Sequence, residues 1–241
     1  MSLFIVIVRA RRELRVGGLT PLTTIDYPDH LSCVIYCQGC SWRCRYCHNQ
    51  EMITTNPEPG YGWNQVLNFL NKRRGLLEAV VFSGGEPLLQ KYLPQAVEQV
   101  NKMGFKVGLH TAGSIPIRFS QVLPLIDWVG FDVKDLPSDT DNITQVKGSG
   151  QKNWQSLKLL LASHIDFQCR TTVHWQLIDE QRLVRLTERL ADLGVVDYVI
   201  QFSRTNHMLD STLGYSVLPG ERIEQLKSTL TNILPTIKFA L

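Results

Sequence analysis

No segment of this 241-residue chain is long and apolar enough to cross a bilayer. The opening MSLFIVIVRARR carries a short apolar run, but its positive charges follow that run and no small-residue cleavage site is evident, which argues against a secretory signal. A strong surplus of one charge is also missing. Twenty-five basic residues face 22 acidic ones, for a net charge of +3, so a general nucleic-acid surface is excluded and the basic RARRELR reads as a solvated terminus. Repeats at solenoid periods, low-complexity tracts and composition shifts are absent. The chain is therefore read as a cytoplasmic protein with one domain, residues 17–241, behind an extension at 1–16 of open role. Cysteine is scarce outside one place: five of the six lie between Cys33 and Cys47, and only Cys169 lies elsewhere. In a reducing compartment such clustering points to metal or catalysis rather than to disulfides.

What is present is an alternation. LSCVIYC (Leu31–Cys37), AVVFSGG (Ala79–Gly85), FKVGLHT (Phe105–Thr111), WVGFDVK (Trp128–Lys134), DFQCRTTV (Asp166–Val173) and DYVIQFS (Asp197–Ser203) read as buried strands. Helical periodicity fills about 62–73, 88–103, 117–125, 150–163, 180–193 and 220–234, with Gly104 and Gly194 at two helix ends. Parallel neighbours need a crossover, so this pattern predicts an α/β fold of six βα units. Periodicity alone leaves open whether the sheet is flat or curled. The polar stretch 135–149 is expected to be a mobile loop.

The stretch CVIYCQGCSWRCRYCHN contains C-x3-C-x2-C twice, overlapping at Cys40. Structural zinc needs four ligands, and zinc knuckles are separated by a dozen residues or more, whereas Cys37/Cys40 and Cys44/Cys47 are separated by three. The ferredoxin run ending in Cys-Pro is absent, because His48 follows Cys47. Cys33 and Cys37 sit within a strand, where four residues rise about 13 Å, too far for two ligands of one compact cluster. Cys40, Cys44 and Cys47 follow the strand in a loop free to curl. They are the expected metal ligands, and Cys33 and Cys37 are expected core residues. An iron–sulfur cluster held by three thiolates leaves one iron open.

CSWRCRYC has the C-x3-C-x-aromatic-C form of the radical S-adenosylmethionine (SAM) enzymes, with Tyr46 as the aromatic. From about Gly17 to about Arg204, GGLTPLTTIDYPDHLSCVIYCQGCSWRCRYCHN, VVFSGGEPLLQ, GFKVGLHTAG, DWVGFDVK and CRTTV resemble the activating proteins of anaerobic ribonucleotide reductases. The resemblance implies a partial (β/α)6 barrel with the cluster loop after the first core strand, a [4Fe-4S] cluster and SAM chelated at its open iron. It also implies a 5′-deoxyadenosyl radical that takes a glycine α-hydrogen from a partner, an anaerobic ribonucleotide reductase. With no second cysteine cluster in the thirty or so residues before the second strand, the electron comes from a flavodoxin or ferredoxin.

The same resemblance assigns Gly84, Gly85 and Glu86 to the SAM amino group, Thr111 to a ligand hydrogen bond, Asp132 and Lys134 to the sugar and carboxylate side, and Arg170 to a further SAM contact. Each has a plainer reading. The glycines permit tight turning or close packing. Asp132 and Lys134, two apart on one face, make a surface ion pair. Arg170 in an apolar strand needs a buried partner, for which Asp132, Glu86 and Asp135 are candidates. His110 is read as a structural hydrogen-bonder, and Gln201, Ser203, Arg204 and His207 are unresolved sixth-strand candidates. Two other functions remain: a small radical SAM enzyme acting on a small molecule, such as a deazapurine synthase, and a non-catalytic zinc-binding module.

Overall fold

The six apolar segments pair side by side in chain order, as the computed structural model shows for residues 13–55, 60–204 and 206–240. They are β2 (Ser32–Cys37), β3 (Ala79–Gly84), β4 (Lys106–Thr111), β5 (Trp128–Asp132), β6 (Asp166–Val173) and β7 (Tyr198–Phe202), every neighbouring pair parallel. The crossovers hold α1 (Trp63–Asn71), α2 (Leu93–Lys102), α3 (Pro116–Val122), α5 (Ser149–Leu161) and α6 (Glu180–Asp192), and α7 (Gly220–Ile233) follows β7. Pro87 and Pro94 divide the helix expected at 88–103 into a single turn and α2.

Two strands add to the expected six. β1 (Val16–Thr23) runs antiparallel to β2 at one edge, and β8 (Lys238–Ala240) extends the other edge in parallel. Two glycines and a proline give VGGLTPLT little strand propensity, and its pairing is interrupted at two register shifts, as an edge strand tolerates. Three residues of β8 are too few for periodicity to register. Leu14 and Val16, ahead of the boundary expected at residue 17, are buried in the core; residues 1–12 lie outside the described residues.

The expectation for 135–149 is corrected. This stretch contains α4 (Thr140–Thr144), and Thr140, Ile143, Thr144 and Ser149 are fully buried. The Asp141 carboxylate accepts from the amides of Gly148 and Gly150 and from the Ser149 hydroxyl, so polar composition here reflects an internal hydrogen-bond net rather than a solvated loop.

Side-chain parity separates two apolar regions. Val80 and Phe82 of β3 join the main core between sheet and helices, with Leu109, Phe131, Leu157 and Leu186, while Ala79 and Val81 face the other way. On that concave side Tyr27, from the β1–β2 loop, packs on Trp128 with ring centroids 5.4 Å apart, closing the floor at the strands' N-terminal ends. Elements of β3, β6 and the β5 exit face one cavity, so the sheet curls, and it stays open because β1 and β8 are its edges. This is the partial barrel expected, with two extra edge strands.

Above the floor, His110 Nε2 donates to the Asp26 carbonyl at 2.8 Å. Arg170 Nη1, 3.3 Å from the same nitrogen, is therefore a neighbour and not a donor to it. Burial, aided by Arg170, pushes the His110 pKa down to about 4. A histidine depressed below its unfolded value of 6.5 contributes stability that is complete above 6.5 and drains away as pH falls toward 4. Compared with His110→Gln, which can still donate to Asp26, the native chain is expected to lose roughly 2 kcal/mol more between pH 7 and pH 4.5. Urea unfolding of both apoproteins at the two pH values checks this; equal losses would contradict it.

Candidate active site

The loop after β2 has almost no structure of its own. Within residues 40–47 its one backbone hydrogen bond runs from the Cys47 amide to the Cys44 carbonyl at 2.8 Å. Other segments hold it. Arg43 N and Arg45 N donate to Thr144 O and Ile143 O, each at 2.9 Å, and Cys40 N donates to Ile53 O at 3.1 Å. So curled, the loop brings Cys40, Cys44 and Cys47 to the wall of one cavity of about 200 Å³, all three as free thiols. Cys33 and Cys37 are fully buried core residues, as expected.

Opposite the loop stands the SGGEP turn. A Cβ on Gly84 would lie 2.6 Å from the Cys37 nitrogen, at a φ of +103°; one on Gly85 would lie 2.7 Å from the Gly39 carbonyl carbon and 2.8 Å from Met52 O. Close packing against the cysteine loop is thus enough to require both glycines, and both also line the cavity. The contact is sealed by Gly85 N donating to Cys37 O and Glu86 N to Gly39 O, each at 2.9 Å. Glu86, 3% exposed, also lines the cavity. Its Oε1 accepts from the Thr111 hydroxyl at 2.6 Å and from Leu88 N at 3.1 Å, and its Oε2 from Ala112 N at 3.2 Å. Burial raises its pKa, and these donors pull it back.

Thr111 is not on the cavity wall. Its hydroxyl, donating to Glu86 and accepting from Gly113 N, is committed inside the protein. Lys134 is on the wall, its Nζ 2.9 Å from Asp132 Oδ2 and 5.7 Å from the centre of the Tyr46 ring. Burial opposes charge on both partners. Their mutual attraction prevails, holding Asp132 below the usual carboxylate range and Lys134 above the usual amine range. The ion pair of the plain reading exists, but Lys134 is only 11% exposed while Asp132 is 37% exposed.

Arg170 departs from expectation. None of the acids proposed as its partner forms an ion pair with it. Its Nε donates to Gln168 Oε1 at 3.0 Å, and the guanidinium lies 5.3 Å from the Trp128 ring centre, toward the floor. Stacking on an aromatic face accommodates a guanidinium without a carboxylate.

Residues on the wall and behind it escaped sequence reading. Thr172 lies two positions beyond Arg170 and shares its strand face, a signal parity could have supplied. Fully buried Asn153 on α5 donates to Ala112 O at 2.7 Å and Asp132 O at 2.9 Å and accepts from Lys134 N, tying the ends of β4 and β5; nothing in an amphipathic helix marks it. Of the sixth-strand candidates, Arg204 and His207 line an adjoining polar depression that shares His48 and Asn49 with the cavity.

The donor chemistry fits an iron–sulfur cluster with SAM beside it. Among the described residues no three His, Cys, Asp or Glu side chains converge on the site of one metal ion. Three thiols on the wall of one cavity are the donor set that a [4Fe-4S] cluster with one open iron would take. Burial, then Glu86, pushes the Cys40 thiol up to about 12, and burial, eased by Lys134, pushes Cys44 up to about 11, so loading with metal must release protons. The Tyr46 hydroxyl on the wall is buried without a partner, as is His48 Nε2.

Residues 34–175 match the family model described as the radical SAM superfamily. A protein of Methanocaldococcus jannaschii assigned by name to the glycyl-radical enzyme activating enzymes is 29% identical over 86% of this chain and 87% of its own. The pyruvate formate-lyase 1-activating enzyme of Escherichia coli K12 is 25% identical over 77% of this chain and 78% of its own. A 7-carboxy-7-deazaguanine synthase of Thermococcus kodakarensis is 28% identical over 40% and 46%. The solved structure of QueE from Escherichia coli shares the fold at a TM-score of 0.60 and 14% identity, over 94% of this chain and 92% of that one.

An orphaned hydroxyl costs stability until a ligand meets it. Tyr46→Phe should therefore leave the apoprotein's melting temperature unchanged or higher, while SAM binding to the reconstituted protein weakens by about tenfold. Calorimetry of both forms checks the pair; a destabilised apoprotein with unchanged affinity would refute it.

Proposed function

The chain belongs to the radical SAM superfamily, and from that membership we propose that it is a glycyl-radical enzyme activating enzyme whose partner is an anaerobic ribonucleotide reductase. The extent of the match supports the activating-enzyme part of this reading: the relative assigned by name to the activating enzymes aligns along 86% of the chain, the deazaguanine synthase along 40%. The choice of an anaerobic ribonucleotide reductase rests on the sequence resemblance alone. The cysteine-lined cavity at the strands' C-terminal ends supports it, since parallel α/β folds bind ligands there.

Cys40, Cys44 and Cys47 would hold a [4Fe-4S] cluster, and Lys134, Glu86, Gly84, Gly85 and Tyr46 would hold SAM. The chemistry supplied by cluster and SAM together is one-electron cleavage of the sulfonium carbon–sulfur bond, giving a carbon radical able to take hydrogen from a glycine α-carbon. The chain's own residues bind and orient. Lys134 offers a cation to the methionyl carboxylate and Glu86 an acceptor to its amine. Thr111 fixes the rotamer of Glu86, and Asp132 fixes Lys134. Arg170 stands off the cavity wall, held by Gln168 and the Trp128 ring. Trp42, Ile53 and Ala112 form apolar wall that keeps water from a reactive radical. The electron donor is an external flavodoxin or ferredoxin, since no further cysteines lie between Cys47 and β3. The deazaguanine synthase similarity keeps a second reading alive, in which the substrate is a small molecule.

Anaerobic reconstitution with iron and sulfide should give a reducible cluster and SAM cleavage. Cys44→Ala should abolish both, and Cys33→Ala should retain both. Uptake of zinc alone would refute the enzyme. Incubation with SAM, reductant and an anaerobic ribonucleotide reductase should produce a glycine-centred doublet in electron paramagnetic resonance. Its absence, with SAM still cleaved, would favour the small-molecule reading.

A further inference from the structure

The cysteine loop borrows its shape, and one of its lenders lies far along the chain. Arg45 stands between Cys44 and Cys47, and Arg45 is not among the residues lining the cavity. Its Nε donates to Asp210 Oδ2 at 2.7 Å, with both side chains about one quarter exposed. Beside this pair two backbone bonds join the same segments: Leu209 N donates to Cys47 O at 3.0 Å, and Asp210 N to Arg45 O at 2.9 Å. Asp210 is itself held, its Oδ1 accepting from Thr212 N at 2.9 Å and Thr212 Oγ1 at 2.6 Å.

The segment that carries Asp210 has no helix or strand across residues 206–216. It is fixed at both ends. Gln50 Nε2 donates to His207 O at 3.0 Å on the cysteine side. On the far side Gly214 N donates to Gln176 Oε1 at 2.8 Å and Trp175 N to Ser216 Oγ at 2.6 Å. Met208 and Leu213 sink into the core between these anchors. The result is a strap from the β6–α6 connection to the last cysteine.

We propose that Arg45 and Asp210 are positioning residues that latch this strap onto the cysteine loop and hold Cys47 where a cluster needs it. Neither residue touches the cavity, so they act through the Cys44–Cys47 backbone. An ion pair a quarter exposed contributes modestly alone. Here it clamps two backbone bonds whose loss frees one ligand of three, and supporting contacts of this kind change metal retention by roughly 10- to 100-fold. The proposal rests on the cluster reading for its consequence but not for the latch itself.

Two measurements keep these apart. Hydrogen exchange on the apoproteins should show Asp210→Asn and Arg45→Met losing protection at residues 43–47 and 207–212, with the sheet unaffected and Asp210→Glu close to native. In the reconstituted proteins, chelator-driven iron release should be about tenfold faster for either variant, no faster still for the double variant, and restored by Asp210→Glu. Unchanged exchange, or loss of protection across the whole sheet, overturns the latch. Local loss of protection with iron release within twofold of native overturns its role toward the cluster. A native chain that takes up no iron overturns the cluster reading, and exchange alone then judges the latch.

Discussion

The site depends on a contact between two backbones. The end of β3 approaches the turn after β2 so closely that neither Gly84 nor Gly85 has room for a Cβ, and two amide–carbonyl bonds close the gap. One consequence is that the cysteine loop and the SGGEP turn face each other across a single cavity. Another is that Glu86, the next residue, points inward with its carboxylate caught among Thr111, Leu88 and Ala112. A methyl group at either glycine would separate the two walls. The glycines need no ligand to justify them, and a ligand between those walls still depends on them.

The site is layered outward from that contact. Thr111 serves Glu86, Asp132 serves Lys134, and Asn153 serves the strand ends that carry both. α4 and the strap after β7 serve the cysteine loop. The Asp132–Lys134 pair is kept charged against burial, because the attraction between its members outweighs the desolvation of either, whereas burial raises the pKa of Glu86. Arg170 follows a different rule. Aromatic stacking on Trp128 and a bond to Gln168 replace the acid partner that a buried cation was expected to require.

Legibility in the sequence followed the range of the signal. β2 to β5 and β7 announced themselves through apolar runs because most of their residues are covered on both faces, while β6 showed itself by an alternation in which only one face is buried. The choice of Cys40, Cys44 and Cys47 over Cys33 and Cys37 followed from strand rise alone. β1 was hidden by its glycines and proline, whose strand character comes from pairing with β2 rather than from propensity. The stretch 135–149 was misread because its aspartate, serine and threonine bond inward, and composition does not distinguish inward from outward. Asn153 and Asp210 gave no sign, since each matters through partners tens of residues away.

The sequence by itself determined the alternation of strands and helices, the triple of cysteines beyond the first core strand that reaches one cavity, and the glycines and acid at the end of the second core strand. These depend on periodicity, spacing and residue type, which are local. Tertiary structure decided which polar residues reach the cavity and which stand behind it: Lys134 and Thr172 on the wall, Thr111 and Arg170 off it. It also decided what holds a loop that cannot hold itself. Those outcomes depend on sheet curvature and on contacts between distant segments, and no local pattern of residues encodes the direction in which a curled sheet brings them together.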